Sequence, residues 1–357
     1  MNKKALVAMS GGVDSSVTAL MMKNAGYECI GATMHLFDNE DAGLEREKTC
    51  CSLSDVEDAA SVARRMRIKH YVFNFKDEFR DKVINNFICE YECGGTPNPC
   101  IDCNKYMKFD KLLSRAKILG CDKIATGHYV RINYNEETGR YELLKAVDET
   151  KDQSYVLYSM TQEQLSHTVF PLGELRKTEV RKIAEENGFV NARKKDSQDI
   201  CFVPDGDYAS FIERYSGKKF PCGDFCDKNG NVLAHHSGII KYTIGQRKGL
   251  GVAFGKPMYV CDKCIENNTV ILGENDDLFK DEVLAKDFNW VSITSAKEPV
   301  KVQAKIRYNQ SAQNATLYQT GENDVRVVFD KPQRAPAKGQ ALVCYDGDKV
   351  LGGGTII

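Results

Sequence analysis

The stretch Val7-Ala8-Met9-Ser10-Gly11-Gly12-Val13-Asp14-Ser15-Ser16-Val17 reads as a phosphate-binding turn of an unusual kind. An apolar run over residues 4–9 leads into two glycines, and residues 15–24 have helical composition. Glycines let the backbone approach an anion closely, and the N-terminus of the following helix favours negative charge. Ser10, Ser15 and Ser16 add hydroxyl donors. The lysine of a G-x-x-x-x-G-K-[ST] loop is missing. Asp14 is out of place beside a phosphate unless Mg²⁺ bridges the two or its carboxylate orients the loop through backbone N–H groups. A plain strand–turn–helix junction, capped by Asp or Ser, is the alternative.

Outward from this turn the pattern alternates. Residues 27–34 read as the next strand, which makes a β–loop–α–β unit of the parallel type. Ser54-Asp55-Val56-Glu57 reads as a capping box for a helix running to about Arg67. Residues 70–75 and 122–130 read as strands, and 78–90 and 105–119 as helices. Residues 175–187 form an amphipathic helix that Gly188 closes. The expectation is α/β: a doubly wound parallel sheet over residues 1–205, with ligands at the carboxyl ends of its strands. Residues 206–278 are rich in Gly and Cys, with an Asn229-Gly230 hairpin signal, and read as a small central domain. Residues 279–357 read as a C-terminal β-barrel-like domain, because 300–307 alternate with period two and 324–329 and 340–345 are further strands.

The chain has 357 residues, 42% hydrophobic and 28% charged, with a formal net charge of −1. That balance excludes a protein coated in basic charge, though not a local basic face. No apolar run approaches the ~18–20 residues of a membrane span. With no signal or transit pattern at the N-terminus, the chain is expected to be cytoplasmic. With no heptads or long apolar edge, a monomer is expected.

Fourteen cysteines in such a chain suggest metal, redox or nucleophilic roles, or small buried side chains. Gly95-Thr96-Pro97-Asn98-Pro99-Cys100-Ile101-Asp102-Cys103-Asn104-Lys105 is a proline-stiffened loop ahead of a helix. It places two thiols near a helix N-terminus, where a thiol's pKa is expected to fall. In Lys194-Lys195-Asp196-Ser197-Gln198-Asp199-Ile200-Cys201-Phe202 a cysteine follows two lysines, which suits a nucleophilic thiolate. Half a zinc site remains open for the C-x-x-C, and a buried core residue for the lone cysteine before Phe202. Cys222-x3-Cys226 and Cys261-x2-Cys264 have spacing that admits a structural zinc. Arg176, Lys177, Arg181 and Lys182 share one helix, as a solvated face or a basic strip.

Ser10-Gly11-Gly12-Val13-Asp14-Ser15 resembles the PP-loop of ATP pyrophosphatases. With T-P-N-P-C-x-x-C-N-K, A-T-G-H-Y, K-D-Q-S-Y and K-x-D-S-x-x-I-C-F in order, the chain from Val7 to Gln340 resembles the tRNA-specific 2-thiouridylase family. The resemblance implies an ATP-dependent sulfurtransferase that adenylates O2 of the wobble uridine of tRNA. Sulfur then replaces that oxygen to give 2-thiouridine, AMP and pyrophosphate. The loop would hold the β- and γ-phosphates as the pyrophosphate that leaves.

By the same resemblance, ATP with Mg²⁺ falls to Ala8, Met9, Ser10, Gly11, Gly12, Val13, Asp14, Ser15, Met34 and Gly127. Cys201 would carry a persulfide loaded by a sulfur carrier protein. Cys103 would be the nucleophile, releasing sulfur through a Cys103–Cys201 disulfide or as hydrosulfide. Asn98, Pro99 and Cys100 would line the pocket for the flipped base. His128, Lys151, Asp152, Gln153, Arg307, Tyr308 and Gln340 would meet tRNA. Some members carry Asp where Cys100 stands, and the three thiols Cys100, Cys103 and Cys201 admit a [4Fe–4S] cluster as in related sulfur-transfer enzymes. A tRNA-binding sulfur carrier without ATP chemistry is a further alternative, against which the intact loop speaks.

Overall fold

The computed structural model describes residues 3–38, 53–194 and 200–357. Cys50, Cys51 and residues 195–199 of the second cysteine segment lie outside the described residues. The chain divides into two compact units. One comprises Met1–Ile84, Cys100–Gly206 and Asp348–Val350; the other comprises Asn85–Pro99, Asp207–Gly347 and Leu351–Ile357.

In the first unit, β1 (Lys4–Ala8), β2 (Glu28–His35), β3 (Lys69–Asn74), β4 (Lys123–Ala125) and β7 (Thr168–Val169) form a parallel sheet in the order β3-β2-β1-β4-β7. The strands are short and rich in apolar residues, as both-face burial requires. Ala5 and Val7 of β1 pack on one face with Val13 and Val17 of α1 (Val13–Asn24), Ala59, Val62 and Ala63 of α2 (Leu53–Arg65), and Val180 and Ala184 of the Lys177–Glu186 helix. Each fully buried valine contributes about 1.5–3 kcal/mol relative to exposure. Leu6 and Ile124 are also fully buried, and the Leu112–Ile118 helix packs on β4. β5 (Val130–Asn135) and β6 (Arg140–Lys145) form an antiparallel hairpin after β4.

Three sequence expectations change here. The strand expected over 122–130 is two, β4 and β5, because residues 126–129 form a loop at the carboxyl end of β4. Ser54 is not a cap, since α2 begins at Leu53 and Ser54 lies within its first turn. The two expected α-helices over 78–90 and 105–119 both contain π-helical segments, Arg80–Ile84 and Cys103–Lys111.

In the second unit, β8 (Gly223–Cys226), β9 (Val232–His236), β10 (Tyr259–Cys264) and β11 (Thr269–Gly273) make a small sheet in the order β10-β11-β8-β9. The Asn229-Gly230 turn joins β8 to β9: Gly230 has φ +85°, and Asp227 Oδ1 accepts from the N–H groups of Asn229 and Asn231. The zinc expectation fails at this sheet. Among the described residues no three His, Cys, Asp or Glu side chains are grouped to hold a metal. Cys226 is buried, Cys222 is exposed, and Cys261 and Cys264 bond instead to Tyr259 O and Glu266 Oε2.

The last six strands are β12 (Phe279–Trp290), β13 (Val300–Lys305), β14 (Gln313–Gln319), β15 (Val325–Arg334), β16 (Ala341–Asp346) and β17 (Lys349–Ile356). They run β12-β15-β14-β13-β16-β17, and pairing of Ala285 with Ile356 closes the barrel. Val283, Val302, Ala304, Leu317, Val327 and Leu342 fill it. Cys344 lies in this core, where burial pushes its thiol up to about 12, so it serves as an apolar side chain. Arg307 and Tyr308 fall in the turn after β13 rather than on the strand.

Candidate active site at the carboxyl end of the parallel sheet

Strand order reverses between β1 and β4, and in open α/β sheets ligands bind at that point. The loop after β1 and the loop after β4 therefore face each other across the crevice. The first is pinned to β2: Met9 N–H donates to Ala32 O (2.8 Å), and Thr33 Oγ1 donates to Met9 O (2.6 Å). Gly11 has φ +76°, and a Cβ there would collide with the backbone of Asp55 in α2, so only glycine fits. Ser15 Oγ accepts from Ser10 N–H (3.2 Å) and donates to Gly12 O (2.9 Å). Asn191 Nδ2 donates to Gly11 O (2.8 Å) and Ser16 Oγ (2.9 Å). The chain then enters α1 at Val13, whose first-turn N–H groups have no intrahelical acceptor and are available to an anion. Ser10 is exposed at the tip, and Met34 is half-buried near the end of β2.

Asp14 is the centre of a clamp. Lys177 Nζ reaches both carboxylate oxygens, at 2.8 and 2.7 Å, and the Tyr129 hydroxyl donates to Oδ1 at 2.8 Å. The ammonium also lies 5.7 Å from the Tyr129 ring centre. Lys177 and Tyr129 are both buried. Gly127 sits against this clamp: a Cβ there would come within 3.0 Å of Asp14 Cβ. The cation missing after the glycines is thus supplied from a helix far along the chain. The carboxylate is held by an ammonium and a hydroxyl, which orients it toward the loop. The basic strip is also overturned. Lys177 is buried in the clamp, Arg181 donates to the carbonyls of Ala192 and Lys194, and Lys182 lies 3.8 Å from Glu186.

The two thiol segments flank this loop. Cys103 opens the π-helical segment Cys103–Lys111, in which i→i+5 pairing stacks Lys108 near Cys103; an α-helix would bring i+3 and i+4 there instead. Lys108 Nζ donates to Asn104 Oδ1 (2.9 Å) and lies 3.3 Å from His128 Nε2, in the loop after β4. Cys201 is half-buried beside Phe202, whose ring packs edge-on to Phe79 (5.8 Å), itself stacked on Phe37 just beyond β2. In the sheet order β2-β1-β4, the thiol neighbourhoods therefore straddle the glycine loop. Lys111 and Glu78 (3.2 Å) tie the two flanks together.

The thiol electrostatics differ from expectation. Protein packed around Cys103 pushes its thiol up to about 11, and burial also raises Cys100, with Lys108 opposing both. Crowding outweighs any helix-terminus effect. Cys100 is nonetheless exposed and Cys103 half-buried, so both are ringed by protein yet open to solvent on one side. Cys100, Cys103 and Cys201 all carry thiols rather than disulfides. No three-ligand metal group exists among the described residues, so this arrangement does not fit a [4Fe–4S] cluster.

The expected tRNA residues divide by environment. His128 is buried, its Nδ1 2.7 Å from Thr126 Oγ1 and its ring between Phe109 and Phe170. Burial and then Lys108 hold it well below the usual histidine range, so it is neutral and is not presented to a polyanion here. Asp152 is spent on its own turn, accepting from Ala146 N–H, Ser154 N–H and Ser154 Oγ. Gln153 exchanges two hydrogen bonds with the backbone of Tyr129. Lys151 is half-exposed. In the second unit, Arg307 donates to Ala335 O (2.6 Å) beside a half-exposed Tyr308, and Gln340 Nε2 donates to Thr96 O (2.5 Å), bracing the segment that carries Asn98 and Pro99.

Sequence reading missed Tyr129, Lys177, Lys108 and Asn191 as site residues. Lys177 looked like one cation of an exposed helix face. Its burial comes from a contact 163 positions away in the chain, which no periodicity reveals.

Three family profiles cover the chain: a tRNA methyl transferase HUP domain over residues 3–205, a tRNA methyl transferase PRC-barrel domain over 209–274 and an aminomethyltransferase beta-barrel domain over 280–356. A tRNA-specific 2-thiouridylase MnmA of Clostridioides difficile (strain 630) is 54% identical over 356 residues, covering 100% of this chain and 98% of that one. Proteins of the same name from Clostridium acetobutylicum and Acetivibrio thermocellus are each 52% identical, covering 100% and 99% of this chain and 100% and 99% of their own. Solved structures match more distantly; a 4-thiouridine synthetase–RNA complex with bound ATP is 17% identical over 60% of this chain and 50% of that one, with a TM-score of 0.33. With identity at this level sustained from end to end, the chain belongs to the tRNA-specific 2-thiouridylase family.

Proposed function

We propose that the chain is an ATP-dependent tRNA 2-thiouridylase acting on the wobble uridine. The observation that carries the reading is the 10–15 loop, clamped through Asp14 and Lys177 at the switch point of the sheet, in a chain so similar to proteins bearing that name. The pyrophosphate part of ATP lies against the loop and the first turn of α1, beside the Lys177 ammonium. Ala8, Met34 and Gly127 shape the walls for the rest of the nucleotide. The α-phosphate passes to O2 of uracil. A carbonyl oxygen is a poor leaving group, and adenylation makes it a good one.

Cys201 carries the incoming sulfur as a persulfide, received from a sulfur carrier protein. Cys103 attacks the inner sulfur, forming a Cys103–Cys201 disulfide and releasing hydrosulfide at the activated carbon; a dithiol reductant then restores both thiols. Lys108 supplies the cation that makes the Cys103 thiolate accessible despite its crowded surroundings. Asn98, Pro99 and Cys100 line the pocket for the extruded base, whose unstacking costs a few kcal/mol. Lys151, Arg307 and Tyr308 meet the tRNA, whereas His128, Asp152, Gln153 and Gln340 act from behind by holding the loops in place. The protein works in the cytoplasm as a monomer.

The profile name points to methyl transfer, but a methyltransferase has no use for ATP cleavage or for paired thiols flanking the nucleotide loop. The deciding experiment is incubation with unmodified tRNA, ATP and a persulfide donor. The expected products are 2-thiouridine by nucleoside mass spectrometry, with AMP and pyrophosphate. ADP and phosphate, or an unmodified uridine, would overturn the proposal.

A further inference from the structure

The 148–153 loop touches the Asp14 clamp twice. Asp148 Oδ2 accepts from the backbone N–H of Lys177 (2.9 Å) and so fixes the first turn of the helix that carries the ammonium. Gln153 Oε1 accepts from Tyr129 N–H (3.0 Å), and Gln153 N–H donates to Tyr129 O (3.0 Å). The residue whose phenol holds Asp14 is thereby stapled at its backbone. Between these two points the loop is internally bonded. Lys151 N–H donates to Asp148 O (3.0 Å), and Asp148 Oδ1 accepts from Thr150 N–H (3.2 Å) and Thr150 Oγ1 (2.6 Å). Asp152 closes the far end on Ala146 and Ser154. The loop is thus internally bonded and joined by hydrogen bonds to both residues that grip Asp14.

Adenylation without a seated base would only waste ATP, so the chemistry calls for a link between tRNA binding and ATP cleavage. We propose that the 148–153 loop is that link: tRNA bound at Lys151 favours one setting of the loop, and the positioning residues Asp148 and Gln153 pass that setting to Lys177 and Tyr129, which place Asp14 for cleavage. This rests on the reading above, in which tRNA reaches Lys151 and ATP the 10–15 loop. The coupling is read on the rate of AMP release, and tRNA affinity measured without ATP is not expected to follow it.

The test uses the full chain and measures AMP release with and without unmodified tRNA, alongside tRNA affinity by filter binding. Gln153→Leu keeps the size of the side chain and removes the acceptor for Tyr129 N–H, whereas Gln153→Glu keeps the acceptor. The expected result is a loss of tRNA stimulation of about tenfold or more in Gln153→Leu, with tRNA affinity shifted less than ~threefold, and recovery in Gln153→Glu. Asp148→Ala, which cuts the other route, is measured in parallel and is expected to lower stimulation similarly; it decides the matter if Gln153→Leu does not fold. Wild-type stimulation in both variants overturns the link while leaving the thiouridylase reading intact. Loss of tRNA affinity in step with stimulation also overturns it, since the loop would then only bind. Absence of any tRNA-stimulated AMP release in the wild type sinks the reading itself, and the link with it.

Discussion

The glycine loop and the thiol flanks lie in one unit of the molecule, yet they are built differently. Around Asp14 each charged or hydrogen-bonding partner is in place: Lys177 on both carboxylate oxygens, Tyr129 on one, and Asn191 beneath the glycines. Around Cys103 the surroundings oppose reaction, with burial raising the thiol, and Cys201 is half-buried next to a Phe202 that packs on Phe79. The nucleotide half is preorganised, whereas the thiols of the sulfur half rest largely protonated. Electrostatic stabilisation costs least when its groups are already fixed. A thiol that awaits a persulfide is the opposite case, because a standing thiolate is open to oxidation before it is used.

The largest expected effect separates the halves outright. Cys201→Ser removes the sulfur carrier and is expected to lower 2-thiouridine formation by at least ~10³-fold, while tRNA-dependent AMP release stays within a few-fold of the wild type. Parallel product assays by nucleoside mass spectrometry and pyrophosphate detection report both. Equal loss of the two products would break the comparison, because the thiol would then belong to the nucleotide half. Lys177→Met comes next. It leaves Asp14 without its counter-charge and is expected to cost about 2–4 kcal/mol of stability and about 10²–10³-fold in AMP release. Asp14→Asn combined with Lys177→Met is expected to recover the thermal midpoint without recovering the rate. Recovery of both would make the pair a structural ion pair only.

The same contrast explains what could be read from the sequence. The 10–15 loop was legible because its residues are contiguous and their chemistry follows from order alone: strand, glycines, hydroxyls, helix. Gly127 lies beside it, where a Cβ would come within 3.0 Å of Asp14. Lys177 was not legible, since its partner is set by how the last helix of the unit packs against α1. The lowered thiol pKa expected from the helix start was wrong for Cys103, because that rule ignores the protein packed around the group. The π segment was missed as well. Helical periodicity fits 105–119 as an α-helix, and only the register shift in Cys103–Lys111 brings Lys108 toward the thiol. The barrel's closure was invisible in the alternation of its strands, because the pairing of Ala285 with Ile356 joins its first strand to its last.

A smaller effect probes the sulfur half through its titration. With Cys103 pushed up to about 11, the thiolate is a minor form at neutral pH. Its fraction, and with it the alkylation rate, is expected to rise about tenfold per pH unit between pH ~7 and ~9. Lys108 lowers this pKa, so Lys108→Met raises it further and is expected to slow alkylation of Cys103 at pH ~8 by about tenfold. Mass mapping of iodoacetamide-labelled peptides follows the residue directly. A flat pH profile, or faster labelling in the variant, would mean that Cys103 is already activated and that the sulfur half is as preorganised as the other.

The smallest effect tests how tightly the nucleotide half is packed. Gly127→Ala puts a methyl group 3.0 Å from Asp14 Cβ and Asp14 C and 3.1 Å from Ser15 N. Gly127 lacks a left-handed backbone, so the strain is purely steric, and the neighbour must give by a few tenths of an ångström. Asp14 can give only if its bonds to Lys177 and Tyr129 stretch or if the loop after β4 backs away. Overpacking of this kind costs about 1–3 kcal/mol where nothing yields and less where a loop does. The expected outcome is a two- to fivefold rise (~) in KM for ATP with little change in the thiolation to AMP ratio, since both products pass through the same crevice. A change in that ratio instead would show the methyl group acting on His128, one residue further along the loop, and through it on Lys108, and the two halves would then share a wall that the present contacts do not assign to either.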